Sequence, residues 1–396
     1  MSAIIEKNQL LKNEIIKQLY YKHPLSLTEI SRLTHKSLPL VTKCVQSLIA
    51  EGYIIEQGLG PSTGGRRASL FLLNEQKQKF IVSVAMDQFI TRMVIYDLVN
   101  NAKLDIFTME LPLTDNPEAT DQLISFINTN LGKSGIPKTD LLGIGIGVPG
   151  FVNAESGISH SYLKTDTDLP LGEYLSEKLG LPVFLDNDSS LIALAELHYG
   201  AAVGKLNVMV ANIGWGTGLG MIVNGKLYRG SSGYAGEFSH IPLSKSNNLC
   251  SCGKRGCLEV ETSLLVMTER AAAEIEAGSA TKMSQLAQDK RRNIAEVFLE
   301  AAREHDPLAV SILSEAAFMI GKGLATLIHI MNPECIVLSG RVASAGKVML
   351  PAIQQALNEF CIPRIASQTQ IVQSELAENA ELLAAASLVM ENTQFE

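Results

Sequence analysis

Between His240 and Glu259 the chain reads HIPLSKSNNLCSCGKRGCLE, and this stretch restricts the possible folds more than any other. Cys250, Cys252 and Cys257 fall within eight residues, the first of them ten residues after a histidine. One imidazole nitrogen and three thiolates complete a tetrahedral zinc shell, with no position left for a reactive water. Gly253 and Gly256 suit a tight knuckle between ligands, because glycine reaches backbone angles closed to other residues. The spacing therefore predicts a structural zinc loop on His240, Cys250, Cys252 and Cys257. A group of small buried thiols or a redox pair fits this close spacing less well. The chain has six cysteines, and half of them in one cluster is not a disulfide framework. Glu237 and Glu259 bracket the loop. Alone they would read as exposed surface acids; beside the loop they mark a polar ligand-binding surface that the metal holds in place without doing chemistry.

The 396 residues suffice for two or three domains. The net charge of −8 conceals an asymmetry: residues 1–73 hold nine Lys/Arg against five Asp/Glu, a balance of +4 that leaves −12 on the remainder. A basic end on an acidic body suggests a nucleic-acid-binding module. Residues 8–21 place Leu10, Leu11, Ile15, Ile16 and Leu19 at helical spacing, and His23-Pro24 stops that helix. Ser26 with Glu29 forms a capping box for a second helix whose Ile30 and Leu33 point inward. Ser37 is a candidate N-cap for a third helix, which runs to about Ala50. Two strands then flank a glycine-rich tip. Three helices and a β-ribbon make a winged helix-turn-helix over residues 1–73. In such a module the third helix enters the major groove, which nominates Lys36, Ser37, Leu40, Thr42 and Lys43. Arg66 and Arg67 at the wing tip would meet phosphates or the minor groove. A helical protein-interaction module with a basic loop is the plainer alternative.

Residues 74–79 (NEQKQK) read as a polar linker before a body over 80–396. FIVSVAMDQFITRMVIYDL is β-rich and resembles the opening hairpin of an actin-like ATPase lobe. LLGIGIGVPGFV is a buried strand entering a Gly/Pro turn, and Leu181–Leu185 is a short strand ending in Asp186-Asn187-Asp188 before a helix. Polar groups at such a junction lie where open α/β sheets bind ligands, although an N-cap cluster has the same composition. VMVANIGWGTGLGMIVNGKLYRG adds a strand, a glycine-rich turn, a strand and a hairpin at Asn224-Gly225. The first residues have no hydrophobic signal core, and the apolar window Val208–Val223 is broken by Asn212 and glycines. The expectation is a cytoplasmic protein with no membrane partner.

The winged helix, the glycine turns and the Cys-x-Cys-Gly-x-x-Gly-Cys-Leu-Glu loop, in this order, resemble the ROK family of repressors and sugar kinases over essentially the whole chain. The added N-terminal module is similar to the repressor branch, typified by the N-acetylglucosamine repressor and the glucose-responsive repressor Mlc. The resemblance implies an α/β actin-like, two-lobed domain, with a smaller lobe over about 80–186 plus the C-terminal helix and a larger lobe over about 187–376. It implies a sugar or sugar phosphate in the cleft, a structural zinc, and a homodimer or homotetramer on operator DNA. Matched residue by residue, the sugar contacts are Gly150, Asn187, Asp188, Glu237, His240 and Glu259. Carboxylates and amides that pair every hydroxyl reject analogues lacking one. His240 would be shared, one ring nitrogen on zinc and the other toward the ligand.

In a kinase of this family Asp188 would be the general base. The kinases carry Asp-x-Gly-Gly-Thr in the opening hairpin, whereas this chain has Asp87-Gln88-Phe89-Ile90-Thr91. Ser339-Gly340-Arg341 is also poorer in glycine than the kinases' adenosine turn. The expectation is a sugar-responsive repressor of carbohydrate genes without useful kinase activity. The alternatives are an active hexose or N-acetylhexosamine kinase with an appended DNA module, and a repressor whose signal is a protein partner.

Overall fold

The computed structural model describes residues 3–59, 67–286, 293–376 and 380–395. The N-terminal head runs α1 (Ala3–Tyr21), β1 (Leu25–Ser26), α2 (Leu27–Thr34), α3 (Leu38–Ala50), β2 (Ile54–Leu59) and β3 (Ser69–Leu73). The three strands pair in the order β1-β3-β2. The expected capping box is present: Ser26 Oγ accepts the Glu29 amide at 3.3 Å and Glu29 accepts the Ser26 amide at 2.8 Å. Such a cap contributes about 1 kcal/mol. Leu11, Ile15, Ile16 and Leu19 bury as the spacing predicts, together with Ile30, Val41 and Leu48. Leu10 does not: it is 59% exposed, because the buried arc of α1 runs through 11, 15 and 19 and leaves 10 on the far edge.

The chain divides into two compact units. The first comprises Met1–Gly150, Ser156–Asp186 and Leu382–Glu396, so the head is grouped with it. Its five-stranded sheet contains β4 (Phe80–Met86), β5 (Ile90–Asp97), β6 (Phe107–Glu110), β7 (Leu141–Val148) and the strand Val183–Asn187, ordered Val183–Asn187, β7, β4, β5, β6. β4, β5 and β6 are an antiparallel meander, and β7 lies parallel to β4. Gly145 on β7 admits the helix Ala380–Asn392 onto the sheet: a Cβ there would lie 2.0 Å from the Ala385 carbonyl oxygen.

The second unit comprises Phe151–Glu155 and Asn187–Glu381. Its sheet repeats the same order. Val208–Ile213, Thr217–Val223 and Lys226–Leu227 form an antiparallel meander, Cys335–Ser339 runs parallel to the first of these, and Gln370–Gln373 parallel to that. Asn224 and Gly225 turn the hairpin with φ of 54° and 71°, the mirror-image turn that matches strand twist. The helix Pro307–Met331 is long and apolar enough to cross a membrane by length and composition. Ile312, Leu313, Ile320, Leu324 and Ile328 are buried among Phe298, Phe238 and Leu258, the pattern of a central core helix. That core supports both ends of the cysteine loop, through Phe238 before His240 and Leu258 after Cys257.

Candidate metal and ligand site

His240 ends a short 3-10 turn, Phe238–His240, and the loop folds back so that its donors meet. One ligand atom each from His240, Cys250, Cys252 and Cys257 lie within 4.8 Å of one another. His240 Nδ1 is 3.5 Å from Cys250 Sγ, and Cys252 Sγ is 3.6 Å from Cys257 Sγ. A tetrahedron with metal–sulfur bonds of about 2.3 Å has edges of about 3.8 Å, so the donor set fits a zinc-sized ion. Local hydrogen bonds build the knuckle: the Cys250 amide donates to the Lys254 carbonyl at 2.8 Å and the Gly253 amide to the Cys250 carbonyl at 2.9 Å. Gly253 and Gly256 take φ of 83° and 78°, as the sequence anticipates. Cys250 and Cys257 are buried, and His240 and Cys252 partly so.

The second imidazole nitrogen, Nε2, faces Glu237 Oε2 at 3.6 Å. Phe151 stacks on the same ring, with centroids 5.9 Å apart and planes 20° from parallel, and Tyr234 packs edge-on to Phe151. Glu237 is 42% exposed, and partial desolvation raises its pKa. Glu259 opens α7 (Glu259–Thr262), and its Oε2 accepts the Thr217 amide at 3.0 Å. Burial pushes Glu259 up to about 7; the Thr217 amide and Ser239 hydroxyl oppose this, and the charge of Glu237 adds to it. The two carboxylates are thus in electrostatic reach of each other, and Glu237 is the one that meets His240.

α6 (Asp188–Tyr199) begins at the end of the strand Val183–Asn187. Asn187 is its N-cap: Oδ1 accepts the Ser189 and Ser190 amides at 2.9 and 3.1 Å. Asp188 Oδ1 accepts the Ser189 amide at 2.8 Å, and Oδ2 accepts from Asn212 Nδ2 at 3.4 Å. Asn212 also donates to Ser189 Oγ at 3.0 Å. Helix start and carboxylate are therefore fixed from β-strand Val208–Ile213. The glycine run beyond that strand serves the same helix. A Cβ at Gly218 would lie 2.1 Å from Ser189 Oγ, and one at Gly220 would lie 2.3 Å from Ala193 Cβ and 2.5 Å from the Ser189 carbonyl oxygen. Close approach of α6 accounts for these glycines without a phosphate.

Of the six sugar candidates, Asn187, Asp188, Glu237, His240 and Glu259 belong to the second unit. Gly150 closes the first stretch of the first unit, with φ of 85°, and a Cβ there would lie 2.5 Å from Ser161 Oγ. Asn212, Thr217, Ser239 and Phe151 were not anticipated. The signal for Asn212, a lone amide inside an apolar strand, was present in the sequence. In the head, Lys36, Ser37 and Lys43 are exposed and Leu40 and Thr42 half-buried. Ser37 occupies the N-cap position of α3, but its side chain makes no capping hydrogen bond. Gln46, one turn beyond Lys43, shares the exposed face. Arg67 is exposed, and Arg66 lies outside the described residues. In the opening hairpin Asp87 Oδ1 accepts the Phe89 and Ile90 amides at 2.8 and 2.7 Å. The Thr91 hydroxyl is fully buried and has no hydrogen-bond partner among the described residues.

Comparison with known proteins places these observations in a lineage. The sequence matches the ROK family over residues 100–392, and the chain belongs to that family. It is 28% identical over 381 residues to a xylose repressor of Bacillus spizizenii, covering 96% of this chain and 94% of that protein. A glucokinase of Halalkalibacterium halodurans is 35% identical over 257 residues, 64% of this chain and 77% of the enzyme. Among solved structures, a ROK family transcriptional regulator described as a homolog of the E. coli MLC protein superposes with a TM-score of 0.79 at 25% identity, over 97% of this chain and 96% of that one. The fold is accordingly the winged-head, actin-like ROK architecture.

Proposed function

We propose that this ROK-family chain is a sugar-responsive transcriptional repressor: a DNA-reading head on a sugar-binding body, with a zinc ion that stiffens the binding surface and takes no part in chemistry. The single observation that carries the reading is the His240 imidazole. One nitrogen, Nδ1, meets Cys250 Sγ in the donor cluster and the other, Nε2, meets Glu237, so a metal that fixes the ring also fixes a hydroxyl-binding donor. Glu237, Glu259, Asp188, Asn187 and Gly150 are the proposed hydroxyl partners, and when bound the zinc ion supplies rigidity. On the head, Lys36, Ser37, Leu40, Thr42 and Lys43 would read bases, with Gln46 added from the exposed face, and Arg66 and Arg67 would grip the backbone. Operator binding by paired heads implies a homodimer or homotetramer, and cytoplasmic residence follows from that role.

Asp188 and the glucokinase relative favour a second reading, in which the body phosphorylates its sugar. The opening hairpin argues against it. Phosphoryl transfer depends on backbone and hydroxyl donors aimed at the nucleotide. Here the Phe89 and Ile90 amides are already engaged by Asp87, and Thr91 is sealed inside the sheet. The test is a thermal-shift screen of purified protein against monosaccharides and sugar phosphates, followed by an ATP-coupled turnover assay with each hit. Stabilisation by a sugar without turnover supports a sensor; turnover at ordinary kinase rates sinks it.

A further inference from the structure

We infer that the segment Ser387–Phe395 is a docking partner for the head, with Phe395 the residue that seats it. Phe395 is 3% exposed although it is separated from the head by more than 300 residues. Its ring meets Tyr53, at the start of the wing, edge-on at 5.8 Å. Its amide donates to Asn13 Oδ1 at 3.2 Å in a buried contact, and its carbonyl accepts from Gln9. Asn13 is otherwise hard to place: a 7% exposed amide in the middle of α1 would cost stability without a partner. Lys17 extends the contact by donating to the Glu391 carbonyl. The polar link also touches the head, with Lys77 donating to the Glu51 carbonyl at 2.8 Å, but that contact is exposed, whereas Phe395 is buried.

The connection has a mechanical consequence, which rests on the function proposed above. Phe395 follows the helix Ala380–Asn392, whose first two residues belong to the second unit and the rest to the first. That helix packs on Gly143 and Gly145 of β7 and leads directly into the residues that meet the head. A sugar response in the head depends on the contacts that hold the head in place, and Phe395 is the buried one among those described, so it is a positioning residue for the response.

The test uses full-length protein with Phe395→Ala and Phe395→Leu. Amide hydrogen exchange should quicken at least tenfold across α1 and around Tyr53 in the alanine variant and recover in part in the leucine variant. Exchange in the cysteine loop and the helix Pro307–Met331 should match the wild type, which shows that the body is folded. The alanine variant should keep operator affinity within threefold while the sugar-induced change in affinity shrinks to less than twofold. Wild-type exchange in α1 would overturn the docking assignment, whether or not the chain binds DNA. Loosened α1 with a full sugar response would overturn the positioning role alone. A wild-type protein that binds no DNA refutes the proposed function, and the exchange data still decide the docking.

Discussion

Replacing Gly220 by Ala tests why the glycine run was kept. The added Cβ would lie 2.5 Å from the Ser189 carbonyl oxygen and 2.3 Å from Ala193 Cβ. Neither is the end of a flexible side chain, so relief requires α6 to withdraw by about 1 Å to reach ordinary contact. Overpacking of this kind costs about 1–3 kcal/mol. At about 2 kcal/mol, a unit of this size should melt roughly 4–8 °C lower. A functional cost should follow too, because α6 carries Asn187 and Asp188 at its first turn. Losing one hydrogen bond to a charged group costs about 1.5–3 kcal/mol, roughly ten- to a hundredfold in sugar affinity. Differential scanning calorimetry gives the first quantity and sugar titration the second. Ala193→Gly in the same chain removes one of the two clashes and should restore part of both. If Gly220→Ala melts with the wild type and binds sugar normally, α6 does not need the glycine and the packing explanation is wrong.

Three further outcomes follow. Chelation should destabilise the second unit: an ion present at a thousand times its Kd contributes about 4 kcal/mol, so removal should lower Tm by roughly 8–16 °C; metal analysis at one equivalent per chain and a matching loss in Cys257→Ser check it. The Arg66→Ala, Arg67→Ala double variant should weaken operator binding and flatten the log K against log salt slope by about 2, leaving sugar binding unchanged; an unaltered slope removes the wing from the interface. The Ser26 amide, and then its hydroxyl, hold the Glu29 carboxyl below its ordinary 4.5. A lowered folded-state pKa contributes stability that is present above about 4.5 and lost as pH falls through the lower folded value. Glu29→Ala should therefore reduce amide protection in α2 about fivefold at pH 6, from a cap worth about 1 kcal/mol, with the gap closing below pH 4; a gap that persists there would deny the charged cap.

Short-range patterns made much of this legible. Ser26-x-x-Glu29 marks the start of α2, and the 240–259 spacing alone brings the four donors into one loop. What lay hidden depends on distant pairings. Nothing near Asn13 signals that Phe395 will satisfy it, and nothing near Thr217 signals that Glu259 will accept its amide. The matching strand order of the two sheets left no repeat in sequence, because buried strands need only apolar residues and not the same ones. The run Gly214–Gly220 was visible, but its meaning was not. A glycine that admits a helix and one that admits a phosphate look alike until the neighbour is placed. Leu10 shows the converse limit, since an apolar residue at helical spacing still falls outside the buried arc.

The central claim is that a sugar held by the His240–Glu237 surface governs the head's grip on DNA. Fluorescence anisotropy of labelled operator, titrated with the stabilising sugar in wild-type and Glu237→Ala protein, addresses it most directly. The sugar should weaken wild-type binding at least tenfold and leave the variant within twofold, with sugar-free affinities alike. Equal responses in both proteins, or sugar-dependent ATP turnover with operator affinity untouched, would contradict it.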